Sequence, residues 1–135
     1  MRLLLDTHIA LWYVLGDRRL PAKARDLIHG GARSVHYSVV SVWEIAIKHG
    51  IAPKKMPISD EKFCTYADSL GFGFVPLARR HIAALKTLRL EQGAKEHHDP
   101  FDRMLICQAK VEEDFRLLTH DALLQGYKEP CVLLV

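Results

Sequence analysis

The sequence predicts an α/β sandwich with a central parallel sheet of about five strands flanked by helices. Three observations predict it. Short apolar runs alternate with longer helical patterns along all 135 residues, the pattern of strands joined through helices. The first run, Leu3-Leu4-Leu5, has no polar alternation, as expected of a central strand covered on both faces. Adjacent strands linked through a helix run parallel, with right-handed crossovers.

Leu3–Leu5 is therefore strand one, and Asp6 ends it. A helix follows over about 7–15, with Ile9, Trp12 and Leu15 on one side, and Gly16-Asp17 stops it. Pro21 suits the first turn of the next helix, which ends near Gly30-Gly31. Ser34–Val40 reads as strand two. Ser41 is placed as the cap of a helix that carries Val42, Trp43, Ile45 and Ile47 and stops at Gly50. Residues 51–57 hold two prolines and two lysines and read as a loop. Ser59 caps a helix marked by Phe63, Ala67 and Leu70, and Gly71 closes it. Phe74–Leu77 is strand three, His81–Leu88 a helix and 89–98 a polar loop. A helix opened by Asp99 runs to about Glu113. Phe115–Thr119 is strand four, Asp121–Gln125 a short helix and Cys131–Val135 the last strand.

Composition sets limits on what this chain is. Its length predicts one domain over 1–135, large enough to bury a core without metal or disulfide staples. Apolar residues make up 49% and charged residues 26%, a globular balance. A net charge of +3 is compatible with a polyanionic partner, but it is clustering of basic residues, not their sum, that marks nucleic-acid binding. Cys64, Cys107 and Cys131 include no C-x-x-C spacing, which argues against a disulfide framework or structural zinc. Cys107 and Cys131 lie in apolar stretches and read as small buried hydrophobes. No segment has the roughly 20 apolar residues a membrane span needs, and three leucines before Asp6 are too few for a signal-peptide core. The expectation is a cytoplasmic protein without membrane contact.

The chemistry centres on His97-His98-Asp99-Pro100-Phe101-Asp102-Arg103, which sets two carboxylates three residues apart at a helix start. Sites in open α/β sheets form outside the carboxyl ends of the strands. Asp6 follows strand one directly, Glu44 lies just past strand two, and Asp121 lies just past strand four. Asp102 is in the first turn of the helix leading into strand four, which starts on the same edge. Topology thus places four acids on one rim. Each has a bland alternative. Asp6 and Asp121 suit helix caps, Ser41-x-x-Glu44 suits a capping box, and Asp99 with Asp102 suits a cap plus an acid favoured by the helix dipole. Together they would repel, and some would be forced to hold protons. A bound Mg²⁺ or Mn²⁺ removes that penalty and suits hard carboxylate oxygens. Such an ion activates water and stabilises the leaving oxygen of a phosphodiester. Metal-assisted phosphodiester hydrolysis is the chemistry this implies.

Other chemistries fit worse. Asp6-Thr7-His8 lacks the second aspartate of haloacid-dehalogenase-type phosphatases, and neither G-x-G-x-x-G, a Walker-type loop nor G-x-S-x-G occurs. The pair His97-His98 reads as two solvent-facing side chains of a polar loop. His8 and His120 each neighbour a candidate acid.

The stretches Leu3-Leu4-Leu5-Asp6-Thr7-His8, Ser41-Val42-Trp43-Glu44-Ile45 and His98–Ala109, completed by Leu118-Thr119-His120-Asp121 and Tyr127, resemble the PIN-domain ribonucleases. They look most like the VapC-type toxins of bacterial toxin–antitoxin pairs, and the likeness covers nearly the whole chain. It implies a PIN-like sandwich and a Mg²⁺- or Mn²⁺-dependent endoribonuclease. Carried over by position, the metal and catalytic acids are Asp6, Glu44, Asp102 and Asp121, with Asp99 as a further ligand or only the cap that positions Asp102. The family also implies a cognate antitoxin and, commonly, a homodimer.

Candidate substrate contacts are Arg103, Lys48 and Thr7, with Lys54, Lys55, Arg79 and Arg80 as further cations for an RNA backbone. Trp43 can stack a base, although its place beside an apolar helix face favours the core. The rival readings are a nuclease for DNA or RNA processing without an antitoxin, and a non-catalytic PIN-fold binding module that uses the acids as caps.

Overall fold

The computed structural model describes residues 1–135. Five strands form one parallel sheet: β1 Arg2–Leu5, β2 Ser34–Ser38, β3 Gly73–Val75, β4 Phe115–Thr119 and β5 Val132–Leu134, in the order β3-β2-β1-β4-β5. The helices are α1 Thr7–Leu15, α2 Ala22–Asp26, α3 Val39–Ile51, α4 Asp60–Ser69, α5 Arg79–Ala83 and α6 Pro100–Val111. A wide turn Leu27–Gly31 extends α2, and 3-10 segments cover Ala84–Thr87 and Ala122–Tyr127.

The uninterrupted leucines of β1 face two separate cores. Leu3 and Leu5 pack on one side with Ile9, Ala10, Ile45 and Phe63 from α1, α3 and α4. Leu4 packs on the other side with Leu105, Ile106 and Ala109 from α6. In β4, Leu117 pairs with Leu4 and Leu118 with Leu5, so each core continues across the strand boundary. Burying a leucine contributes roughly 1.5–3 kcal/mol, and here successive residues of one strand do so on opposite faces. Cys107 and Cys131 are buried in the second core. No helix is long and apolar enough to cross a membrane.

The sense in which strands are added to the sheet reverses at β1. The chain leaves it for β2 and β3 on one side, then returns through α5 and α6 to β4 on the other. This is the topological switch point where ligand crevices form in such sheets, and Asp6 stands at its carboxyl end.

Several boundaries differ from the sequence expectation. Strand two stops at Ser38, not Val40, because Ser38 caps α3: its Oγ accepts from Val40 N at 2.9 Å and donates to Gln108 Oε1 at 2.5 Å. Ser41 is thus inside the helix and no Ser41–Glu44 capping box forms. The β-branched pair Val39-Val40 suggests a strand, but this cap and the burial of Val40 draw it into the helix. The helix expected from His81 starts earlier, at Arg79, since Ala78 N donates to His81 Nδ1 at 2.9 Å. It tightens to a 3-10 turn after Ala83. Strand three is shifted to Gly73–Val75. The cap at Ser59 and the cap at Asp99 stand where the sequence places them.

Candidate metal centre

Local chain geometry fixes each acid. Asp6 caps α1: Oδ1 accepts from His8 N at 3.4 Å, and Oδ2 accepts from the buried Thr119 hydroxyl at 2.5 Å. That hydroxyl oxygen also accepts from Asp121 N at 3.1 Å. Thr119 therefore ties the ends of β1 and β4 together through one oxygen. Asp121 caps the 3-10 helix after β4 through Oδ1 and Leu123 N at 3.0 Å. Asp99 caps α6, its Oδ1 accepting from Phe101 N at 2.9 Å and Asp102 N at 3.0 Å. Glu44 sits in the second turn of α3, only 3% exposed. Its Oε2 pairs with Lys48 one turn on, while Oε1 is buried with no partner.

Asp102 feels all of them. Burial, and then the charges of Asp6, Asp99, Glu44 and Asp121, push its carboxyl up to about 8. Burial likewise raises the Asp6 carboxyl, with the Thr119 bond opposing and the Glu44 charge adding. These mutual effects mean that Asp6, Glu44 and Asp121, the acids that topology sets beside Asp102, lie near it, with Asp99 as a further neighbour. The caps and the shared site are not alternatives, because a carboxylate has two oxygens and capping engages one. An unpartnered buried oxygen, a hard oxygen donor set and an acid driven to hold a proton fit a divalent cation.

His97 is the residue the sequence reading missed. Far from facing solvent, it is buried: Nε2 lies 3.1 Å from Asp102 Oδ2 and Nδ1 2.8 Å from the Tyr127 hydroxyl. One of its ring nitrogens, an Asp102 oxygen and an Asp121 oxygen lie within 4.8 Å of one another. His98 is exposed. The only sequence signal was Tyr127 itself, the residue that completes the matched pattern.

The candidate substrate contacts separate. Lys48 is on the rim, and Lys48, Lys55 and His8 line a groove of about 370 Å³ with Ile51, Ala52 and Met56. Arg103 follows Asp102, and its Nε is buried without a partner. The Thr7 hydroxyl is buried against Ser41 Oγ at 2.9 Å, where it joins α1 to α3. Arg80 pairs with Glu112 past the far end of α6, and α6 is 12 residues long, about 18 Å at the helical rise. Arg80 is thus remote from the acids. Trp43, expected in the core, is 56% exposed, with Phe101 edge-on at 5.1 Å.

The PIN domain family model matches residues 3–129. No curated protein matches. Solved structures that share the fold include the following two. A VapBC2 from Rickettsia felis, bound to a DNA fragment from its promoter, is 16% identical, with TM-score 0.64 over 100% of this chain and 98% of that one. A toxin–antitoxin complex from Klebsiella pneumoniae is 19% identical, with TM-score 0.60 over 96% and 94%. With the family model covering nearly the whole chain and every acid of the rim, the chain belongs to the PIN domain family.

Proposed function

We propose that this PIN domain is a metal-dependent endoribonuclease, the toxin of a toxin–antitoxin pair. The observation that carries the reading is the acidic rim, where Asp102 is pushed up to about 8 and a Glu44 oxygen is buried without a partner. Asp6, Glu44, Asp102 and Asp121 would hold Mg²⁺ or Mn²⁺, with Asp99 holding the first turn of α6 in place. A divalent cation there supplies an activated water and charge stabilisation for the leaving oxygen of a phosphodiester.

The chain's own residues do the rest. Lys48 and Lys55 along the groove, with Arg103, offset the repulsion between the acids and an RNA backbone, and His8 lines the same groove. Lys48 also holds Glu44 in its rotamer. Thr119 fixes Asp6 relative to Asp121.

An antitoxin partner is supported by the shared fold of the two toxin–antitoxin structures. It is supported too by the apolar stripe Trp43, Ile47 and Ile51, exposed at four-residue spacing along α3 beside Glu44 and Lys48. The same reading carries a cytoplasmic location and a homodimer, which light scattering tests.

The deciding experiment incubates the purified chain with labelled RNA in Mg²⁺ or Mn²⁺, with EDTA, Asp6→Asn and Asp102→Asn as controls. Metal-dependent cleavage lost in both variants is expected. Full activity in either variant would refute the role assignment. Absence of Mn²⁺ binding would turn the reading to a non-catalytic module. A small upstream reading frame separates a toxin from a processing nuclease.

A further inference from the structure

We propose that the pocket lined by Trp12 and Arg19 receives one unstacked base of a single-stranded RNA; the inference rests on the RNA substrate of the reading above. Trp12 lies six residues past Asp6 in α1, about 9 Å along the helix. Helical side chains lean toward the N-terminus, and the indole leans back toward the rim. Its ring centre is 5.9 Å from that of His8, which lines the groove, and 5.9 Å from that of His120, the neighbour of Asp121. A pocket of about 150 Å³ opens on Trp12 and shares His8, Lys55 and Met56 with the groove of about 370 Å³ that includes Lys48. Acid rim, groove and pocket therefore adjoin one another in that order.

The walls of the pocket are held in place by the chain itself. Gly16 takes the left-handed conformation at φ 64° and ends α1, and Asp17 N donates back to Trp12 O at 2.8 Å. That turn brings Asp17 and Arg19 to the indole. Asp17 accepts from Arg19 Nε at 3.2 Å and from Nη2 at 2.8 Å, which leaves Nη1 with no hydrogen bond in the chain. The guanidinium carbon stands 5.4 Å from the Trp12 ring centre. On the other wall, His49 Nδ1 donates to Met56 O at 2.7 Å, and Lys55 N and Met56 N both donate to Ala52 O. Lys55 is exposed and adds a cation where pocket and groove meet.

Unpaired RNA bases are bound by stacking on aromatic rings and guanidinium planes, with hydrogen bonds to their edges. This pocket offers an indole, a guanidinium and, in Nη1, a free donor. Its volume is below the roughly 300 Å³ of sites that take whole small molecules, which suits a single flat ring with its sugar and phosphate left outside, along Lys55 and Lys48. A duplex keeps its bases paired and stacked and presents none of them here. The pocket thus selects single strands and loops, and it sets which nucleotide stands beside the acids. A side chain from a protein partner is the rival occupant.

The test reads binding without cleavage, in EDTA at low salt. Trp43→Phe leaves Trp12 as the sole tryptophan. Three labelled probes are compared: a short mixed-sequence RNA strand, an abasic strand of the same length and an RNA duplex of the same sequence. The single strand is expected to quench Trp12 emission and to bind about 10–100-fold more tightly than the abasic strand or the duplex, neither of which quenches. Trp12→Leu, which keeps apolar bulk, should bring the single strand down to the affinity of the abasic one. Arg19→Gln changes an exposed side chain, so it serves even if Trp12→Leu does not fold; it should weaken the single strand several-fold. Equal affinity for single and abasic strands, unquenched Trp12, Arg19→Gln binding like the unmodified chain, or no binding of any strand would each overturn the inference and leave the pocket to a protein side chain. Mg²⁺-dependent RNA cleavage by the same preparation would then leave the nuclease reading standing. Base-dependent binding without cleavage in Mg²⁺ or Mn²⁺ would do the reverse, keeping the pocket and overturning the nuclease.

Discussion

Glu44 and Lys48 face each other across one turn of α3, and their pair leaves the second Glu44 oxygen buried with no partner. The two ends of the pair differ in exposure: the lysine side chain is 43% exposed and the glutamate 4%. Lys48 is therefore the removable half, and its loss strands a buried carboxylate. Lys48→Met should destabilise EDTA-treated protein by about 1–2 kcal/mol, because an unpaired buried charge is worse than none. Saturating Mn²⁺ should recover most of that, since a cation replaces the lost ammonium. Thermal melts with and without Mn²⁺ test this, and an equal drop under both conditions would count against Glu44 as a ligand.

Thr119 carries a second expectation. Its hydroxyl donates to Asp6 and accepts from the Asp121 backbone, joining the acids of two adjacent strands. Thr119→Val keeps the buried shape and removes both bonds. Mn²⁺ affinity should fall about 10–100-fold, with only a modest change in melting temperature. An unaltered binding isotherm would mean that Asp6 is placed by β1 alone.

At the β2–β3 edge, Gly73 touches His36. A Cβ at residue 73 would clash with His36 Cδ2, and the His36 ring is held by Leu3 O at 3.2 Å and by a T-shaped contact with Phe115. Gly73→Ala should therefore cost about 1–3 kcal/mol by overpacking. Adding His36→Ala should relieve part of that cost, so urea unfolding of the single and double variants must show a non-additive pair. Additive losses would place the strain elsewhere.

What the sequence disclosed, and what it hid, follows from range. Leu3-Leu4-Leu5 announced a strand covered on both sides because burial on two faces leaves no polar position. Asp99 announced a helix start because capping is a local, two-residue relation. The four acids were legible through topology, since strand ends share an edge. Ser38 was missed as a cap because its partner Gln108 lies 70 residues away, and Val39-Val40 pulled the local reading toward strand. His97 was missed for the same reason: two adjacent histidines in a polar loop look alike, and only Tyr127, 30 residues on, distinguishes the buried one. Trp43 was assigned to the core by its apolar neighbours, yet it lies on the outward side of α3 beside Glu44.

Asp102 gives the pH expectation. Burial and the surrounding acids push its carboxyl from the ordinary 3.8 to about 8. An acid raised on folding binds more protons folded than unfolded between those two values. Its contribution to stability is thus complete below about pH 4 and is lost as the pH rises through about 8. In EDTA, the unmodified chain should lose stability across that window. Asp102→Asn removes the titrating group and keeps an acceptor for His97, so the variant should be the more stable protein at pH 8, by on the order of a few kcal/mol, and equal to the unmodified chain near pH 4. Mn²⁺ at pH 8 should reverse the order, because only the ionised carboxylate gains from the cation. Urea denaturation at the two pH values, with EDTA or Mn²⁺, reads all of these differences. Parallel stability curves for the two proteins across the range would show that Asp102 is not under the repulsion that the rim imposes, and would remove the electrostatic argument for a metal at this site.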